Sequence, residues 1–469
     1  MQAGSRLTSV FLTEHLVSTP IINYDGAIVT TPREFVHPST VEELQAILRD
    51  TVRYPGPVRA MGSNHSLTPC AASTGTIVSM GAFNRIVRID PEKMTLTAEA
   101  GMQLVDAAAV LRKQNLQFIL NIEIGNLTLG SAACCQTKDS LDGIALGQVN
   151  SYVTGIKWVS PSGELQEASE STNPELLPFI RSSYGLAGIV YEVTFAIKPL
   201  EIIRFTYDVH DVEALTDDIV DKALAANQSL VFWTIGTDVV IQSRNTATEL
   251  RHEWLADARR YGWSFLAAFT GRGLRDHLAG SPLGVVKERL GAGIELGFYR
   301  LLSAGGGFTL HGPDKTINYA ETPRSARYAF TFWAFPRADY VKNLKDYVKW
   351  AEDYYQRTGF RCNMPLGSYF IRKDRSSLLS YTYDGDIISL DPIHAPGEKE
   401  HEAWAAFLEA FNGWAYERGG IPLLNQSPFV RKEHVAAAYG DRWTKLAGWL
   451  QEVDPTRRMV NGFFADLLA

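Results

Sequence analysis

The residues best suited to chemistry lie in one short stretch, Arg59-Ala60-Met61-Gly62-Ser63-Asn64-His65-Ser66, which follows the short strand expected over Val58 to Ala60. Small residues after a strand let backbone N–H groups converge on an anion with no side chain in the way. A pyrophosphate fits such a turn. His65 places an imidazole inside it, in reach of nucleophilic chemistry. Taken alone, the stretch is equally a plain Gly-Ser turn carrying a solvated histidine. It lacks the G-x-G-x-x-G of a dinucleotide fold and the G-K-[ST] ending of a phosphate loop.

Context adds weight. Leu127-Thr128-Leu129-Gly130-Ser131-Ala132-Ala133-Cys134-Cys135 is a second run of small residues, close after Gly125. Ser183-Tyr184-Gly185-Leu186-Ala187-Gly188-Ile189-Val190 is a third, leading into a strand. Three such turns in one α/β region suggest a single large ligand lying across them.

In order and spacing these turns resemble the vanillyl-alcohol-oxidase, or PCMH-type, FAD-linked oxidoreductases, with the aldonolactone and alditol oxidases as the nearest group. Their first turn reads G-[SG]-x-H-S, matched by Gly62 to Ser66. Their second reads T-I-G-G-A-x-A-T-G-T-H-G-S, matched by Thr128 to Ser140. Their third reads G-x-L-G-V-V-T-E-V-T, matched by Gly185 to Thr194. Asp454-Pro455 and Val460-Asn461-Gly462-Phe463-Phe464 resemble the family's ending, and the stretch from Asp314 to Tyr319 matches weakly.

The resemblance implies FAD, bound through Met61, Gly62, Ser63, Asn64, His65, Ser66, Gly125, Thr128, Gly130, Ser131, Ala132, Cys135, Thr137, Lys138, Ser140, Gly188, Ile189, Val190 and Asn461. It implies that His65 bonds covalently to the flavin 8α methyl. Cys134 and Cys135 read as small packing residues. Gly130 stands at the position that gates oxygen in aldonolactone enzymes, and a glycine there goes with oxidases, so dioxygen is the expected acceptor. Two departures stand out. Lys138 and Asp139 replace the family's His-Gly, and the substrate-side Glu-x-Arg pair is missing. Tyr369 and Arg372 occupy the corresponding strand, and Asn425 and Gln426 the place of a flavin-side lysine; these four are the catalytic candidates. A polyol or sugar lactone needs charged, bidentate partners, so the expected substrate is a small molecule with an aromatic or apolar body and one or two polar handles. Tyr319, Phe332, Trp333, Phe335, Tyr381, Tyr383 and Trp404 are further pocket candidates, although alternating aromatics more often form sheet core. His394 reads as loop.

The expected fold class is α+β: a two-part FAD-binding domain with an antiparallel-sheet cap domain whose helices pack on one face. Residues 1–203 are assigned to FAD, 204–405 to the cap, and 406–469 to a helical segment that returns to the FAD domain. Helices are expected near 41–48, 104–114, 211–226, 340–356 and 400–418. Hairpins are expected around Asp90-Pro91 and Ser160-Pro161, with one extended run from Tyr328 to Phe335.

Composition narrows the classes. Among 469 residues, 45 Lys plus Arg against 52 Asp plus Glu give a net charge of −7, which argues against a nucleic-acid partner. No apolar run nears the length of a membrane span, and Met1 to Pro20 lacks the apolar core of a secretory signal, so a cytoplasmic protein without a membrane partner is expected. Four cysteines with no C-x-x-C pair favour neither metal nor disulfides. The expected reaction is hydride transfer from the C–H of an alcohol-like or amine-like molecule to flavin N5, with hydrogen peroxide released. The alternative is a biosynthetic flavoenzyme that cyclises, desaturates or isomerises its substrate.

Overall fold

Local sequence dictates the first helix. Thr40 accepts a hydrogen bond from the Glu43 backbone N–H, and the Glu43 carboxylate returns one from the Thr40 N–H, a reciprocal cap that starts helix Val41–Arg49. Leu44, Ile47 and Leu48 lie on its buried face. Each contributes roughly 1.5–3 kcal/mol by leaving water.

The computed structural model describes residues 19–120, 122, 124–138, 147–276, 284–312, 327–397 and 400–469. Among them are three main sheets. In the first, Glu34–Val36, Thr76–Ser79 and Val58–Met61 run parallel, with Thr76–Ser79 in the middle. The second is antiparallel, in the order Leu165–Ser169, Val153–Val159, Ile189–Pro199, Thr95–Glu99, Ile86–Asp90. Both hairpins read from the Pro-containing turns are present in it. The third is an eight-stranded antiparallel sheet: Phe308–His311, Ile202–Asp211, Asp238–Ala247, Ser229–Ile235, Leu366–Ile371, Ile387–Leu390, Trp333–Pro336, Ile421–Pro422. The fold is the expected α+β class, with two sheets formed by the first 200 residues and an antiparallel sheet by the residues after them.

Several elements differ from expectation. The run near 211–226 begins as strand, because Ile202–Asp211 pairs along its length with Asp238–Ala247; the helix starts at Asp217, capped by Thr216. Tyr328 to Phe335 is two strands. Ala329–Phe330 pairs with Ile393–His394, and Trp333–Pro336 joins the large sheet. His394 therefore sits in a strand, where its Nδ1 accepts from the Asn363 N–H and its Nε2 meets Glu400 at 3.2 Å. The hairpin Ser229–Ile235/Asp238–Ala247 and the helices Trp254–Phe265 and Gly284–Leu302 escape the sequence reading.

The chain after Leu424 packs back on the second sheet. Val435, Tyr439, Leu446 and Phe464 share one buried cluster with Leu96, Ile156, Val193 and Phe195. No described helix is long and apolar enough to cross a membrane.

Candidate flavin and substrate cleft

The first turn is locked from behind. Arg59 is buried, and its guanidinium donates to the carbonyls of Cys70, Met459 and Tyr184. One side chain thus ties the first turn, the loop after it, the third turn and the C-terminal segment together. Arg458 continues the tie, donating to the carbonyls of Ile47 and Tyr54 while its own carbonyl accepts from the Val58 N–H. Asn461 works in the same layer. Its Nδ2 donates to the Pro69 and Ala72 carbonyls, and its Oδ1 caps helix Gly462–Leu467 through the Phe464 N–H. That full set of bonds makes Asn461 a residue that positions the loop bearing Cys70 and Ala71, not one on the cavity wall.

The turn itself is pressed against the second. A Cβ on Gly62 would stand 2.3 Å from Thr128 Oγ1, so only glycine fits, and Ser63 Oγ donates to the Asn126 carbonyl. A cleft opens in front of the two turns, enclosing ≈ 1640 Å³ with solvent at its mouth included. Gly62, Ser63, Asn64, His65 and Ser66 line it, as do Ser131, Cys135, Thr137 and Lys138, Tyr184 of the third turn, and Tyr369, Asn425 and Gln426. Sequence candidates from four separate segments therefore meet at one cavity, joined there by Tyr184 of the third turn.

Other candidates stand behind this wall. Met61 faces a small recess with Ile21, Ile28 and Thr30. Gly125 serves through its carbonyl, which accepts from the Val105 N–H, and Thr128 donates to Ser131. Ala132 and Ile189 are fully buried in core clusters, and Val190 pairs with Trp158. Gly188 has φ +131° and presses on Val159, whose carbonyl oxygen would lie 2.1 Å from an added Cβ. Gly130 faces Ala100, at 2.8 Å from the Cβ it would carry, so a methyl there falls on protein. Arg372 is turned from the cavity: alternation along the strand puts it with Phe370, over whose ring it sits at 5.4 Å, while Tyr369 faces the other way. Ser140, Asp139 and Tyr319 lie outside the described residues.

Burial sets the electrostatics. It pushes His65 down to about 4, so the imidazole is neutral at physiological pH. It pushes the Cys134 thiol up to about 12 and raises Cys135 well above its ordinary value, so both are unreactive thiols. Lys138 Nζ lies 2.5 Å from Oδ2 of Asp391, 3.9 Å from the centre of the Phe330 ring and 5.1 Å from that of Tyr369. Asp391 is fully buried, and desolvation raises it to about 6 even beside the ammonium. Asp391 reaches this place because its backbone N–H and C=O bridge to Gly367, next to the strand bearing Tyr369.

A family model described as an FAD binding domain matches residues 32–169. The L-gulonolactone oxidase of Scyliorhinus torazame is 23% identical over 440 residues, covering 92% of this chain and 94% of the relative. The L-gulonolactone oxidase of Bos taurus is 29% identical over 168 residues, spanning 36% of this chain and 38% of that enzyme. A mitochondrial L-galactono-1,4-lactone dehydrogenase of Brassica oleracea is 27% identical, across 47% of this chain and 36% of the relative. Among solved structures, a cholesterol oxidase from B. sterolicum superposes with a TM-score of 0.72 at 16% identity, covering 96% of each chain, which shows a shared fold.

The chain is an FAD-dependent oxidoreductase.

The flavoenzyme's cleft suits its cofactor. Asn425 Oδ1 and Gln426 Oε1 are buried on the wall and receive no hydrogen bond from the described residues. A buried acceptor without a donor costs about 1–3 kcal/mol, which a ligand bringing N–H or hydroxyl donors, as the flavin N3–H and the ribityl chain do, relieves. The far half of the cleft comes from the cap: Trp233, Gln242, Arg259, Arg260, Trp263, Phe298, Tyr299, Tyr328 and Phe330. The sequence reading misses all of these. Of its aromatic candidates among the described residues, only Tyr369 lines the cleft. Phe332, Trp333, Phe335, Tyr381 and Trp404 are core, and Tyr383 stacks under Arg442 at 4.5 Å. One signal was available: Ser229 to Ile235, Gly236-Thr237, then Asp238 to Ala247 reads as two extended runs around a glycine-led two-residue turn.

Proposed function

We propose that this flavoenzyme oxidises the CH–OH carbon of a small molecule with a flat or apolar body, uses dioxygen as the electron acceptor, and holds FAD covalently through His65. The cap half of the cleft carries the substrate reading. Trp233, Trp263, Phe298, Tyr299 and Tyr328 line it, with Gln242, Arg259 and Arg260 as its polar members. A polyol lying on the aromatic rings would leave some of its hydroxyls without partners, at a cost of up to roughly 10⁴-fold in rate relative to a site that pairs them all. The lactone oxidases and dehydrogenases among the relatives support a CH–OH substrate.

The chemistry the cofactor supplies is acceptance of a hydride with its two electrons and their delivery to dioxygen. The chain must then take the hydroxyl proton. Lys138 can pass one of its own protons to Asp391, and the lone pair this frees takes the hydroxyl proton, so that the ammonium is restored and the carboxylate ends protonated. A carboxyl raised to about 6 is matched to that task near neutral pH. Phe330 and Tyr369 hold the ammonium in place at the cavity wall. His65, uncharged, carries the lone pair that a bond to the flavin methyl requires.

The test is a panel of alcohols added to the purified yellow protein, with flavin bleaching and peroxide release both recorded. Aromatic and alicyclic alcohols should bleach the flavin and yield peroxide, with gulonolactone and xylitol slow. Fast turnover of either sugar compound would overturn the substrate reading. Bleaching that is reversed only by an artificial acceptor would overturn the oxidase reading.

A further inference from the structure

The two cap helices that supply Arg259, Arg260, Trp263, Phe298 and Tyr299 to the cleft have a second, outward face. Every exposed side chain of helix Trp254–Phe265 is aromatic: Trp254 at 58%, Tyr261 at 64% and Phe265 at 54%. At 100° per residue these three fall within about 40° of one another, whereas Trp263 lies half a turn away on the cavity side. Phe269, 48% exposed in the π-helical stretch Leu266–Asp276, stacks on Phe265 at 5.1 Å and extends the stripe.

Helix Gly284–Leu302 repeats the pattern. Val286, Leu290 and Leu301 are exposed on one face, with Gly293 and Gly297 between them opening onto free space. Glu295, Tyr299 and Leu302 are buried on the opposite face. Among the described side chains the exposed charges of this helix are Arg289 and Arg300, both cationic, on a chain whose net charge is −7. The helices are packed together, since a Cβ on Gly262 would meet the Phe298 ring at 2.2 Å, so the two apolar faces belong to one unit.

We propose that this face docks on a lipid bilayer surface bearing anionic headgroups. Aromatic and aliphatic side chains on one side of surface helices, edged by arginine, are the composition of helices that lie in the membrane interface, where rings sit at headgroup depth and guanidinium groups meet phosphates. A monomeric soluble protein rarely leaves so many large apolar groups together in water. The same helices wall the apolar half of the cleft, so docking holds that wall at the lipid boundary. The face spans nothing: it lies on the membrane.

Flotation of the FAD-loaded protein with vesicles tests this, using phosphatidylcholine with and without phosphatidylglycerol. The wild type should float with the mixed vesicles and less with phosphatidylcholine alone. The combined variant Tyr261→Ser, Phe265→Ser, Phe269→Ser should float roughly tenfold less or worse, because it removes the buried apolar area. Its flavin spectrum and melting temperature should match the wild type; if they do not, Tyr261→Ser alone is used, with a smaller loss expected. Arg289→Glu with Arg300→Glu should weaken flotation selectively on anionic vesicles. A wild type that stays at the bottom of the gradient overturns the proposal, as does flotation unchanged in the aromatic variant. A wild-type dimer that the aromatic variant dissociates, with no vesicle binding by either, would assign the face to a second copy of this chain and also overturn it.

Discussion

At His65 the observed environment and the proposed bond meet. Tyr24 packs edge-on against the imidazole with ring centres 5.7 Å apart, and burial holds it neutral down to about pH 4. Acid precipitation of the purified protein should leave yellow colour in the pellet, and His65→Ala should release FAD to the supernatant. Free FAD from the wild type would refute the bond without refuting FAD binding. Because the folded imidazole is depressed below its ordinary value of 6.5, the unfolded chain binds the proton more readily; the FAD-free protein should lose stability as pH falls from about 6.5 to 4, and less so as His65→Gln. Gly130 gives the opposite lesson. The family position marks an oxygen gate, yet here its missing Cβ points at Ala100. Gly130→Ala should cost about 1–3 kcal/mol of stability by overpacking and lower turnover with oxygen and with an artificial acceptor together. A fall with oxygen alone would restore the gate.

At the scale of elements, the Lys138–Asp391 pair joins the loop after helix Leu129–Cys134 to the end of strand Ile387–Leu390. Neither partner can be removed singly without consequence. Lys138→Met leaves a fully buried carboxylate without its cation and should destabilise by about 3–5 kcal/mol, whereas Lys138→Met with Asp391→Asn should recover most of the loss. The sign of the pH effect follows from Asp391 being raised above its ordinary 3.8. The folded protein takes up this proton between about pH 6 and 3.8 while the unfolded chain does not, so the burial cost stands in full above about pH 6 and is relieved as pH falls. Function runs the other way. A carboxylate that must accept a proton works when ionised, so flavin reduction should slow as pH drops through about 6, and Asp391→Asn should flatten that limb. A profile unchanged in the variant would remove Asp391 from the reaction.

Across the whole molecule the cleft is built from both halves. Arg59, Met459 and Tyr184 bring the FAD-side turns together, and the cap sheet and its helices close over them. A ligand bound between the halves stabilises the folded state by mass action, about 2.7 kcal/mol at a hundredfold excess over Kd. In His65→Ala, where FAD would exchange, the melting temperature should climb with added FAD. In the wild type, with FAD tethered, it should not respond. A wild-type melting temperature that tracks free FAD would place the cofactor in exchange.

The FAD side was legible in the sequence because its signals are local. Gly62 and Gly188 mark close approaches, to the Thr128 side chain and the Val159 carbonyl, that leave no room for a Cβ, the Thr40/Glu43 cap starts a helix within four residues, and His65 sits inside the first turn. Each is written in a short stretch of chain, even where the group it meets, as Thr128 for Gly62, lies far off in sequence. The substrate side depends on which of many apolar side chains turn inward, and periodicity does not report that. Tyr369 and Arg372 are three residues apart, yet strand alternation sends one to the cleft and the other to Phe370. Trp333 and Trp233 lie in strands of the same sheet, and only Trp233 lines the cleft. Asp391 and Lys138 are 253 positions apart, and chain folding alone makes them a pair. The sequence by itself determined the small-residue turns, which are written in contiguous stretches of chain; the cleft's aromatic wall, the buried Lys138–Asp391 pair and the outward face of the cap helices were decided by tertiary packing, because each is a relation between surfaces that meet only when the sheets are assembled.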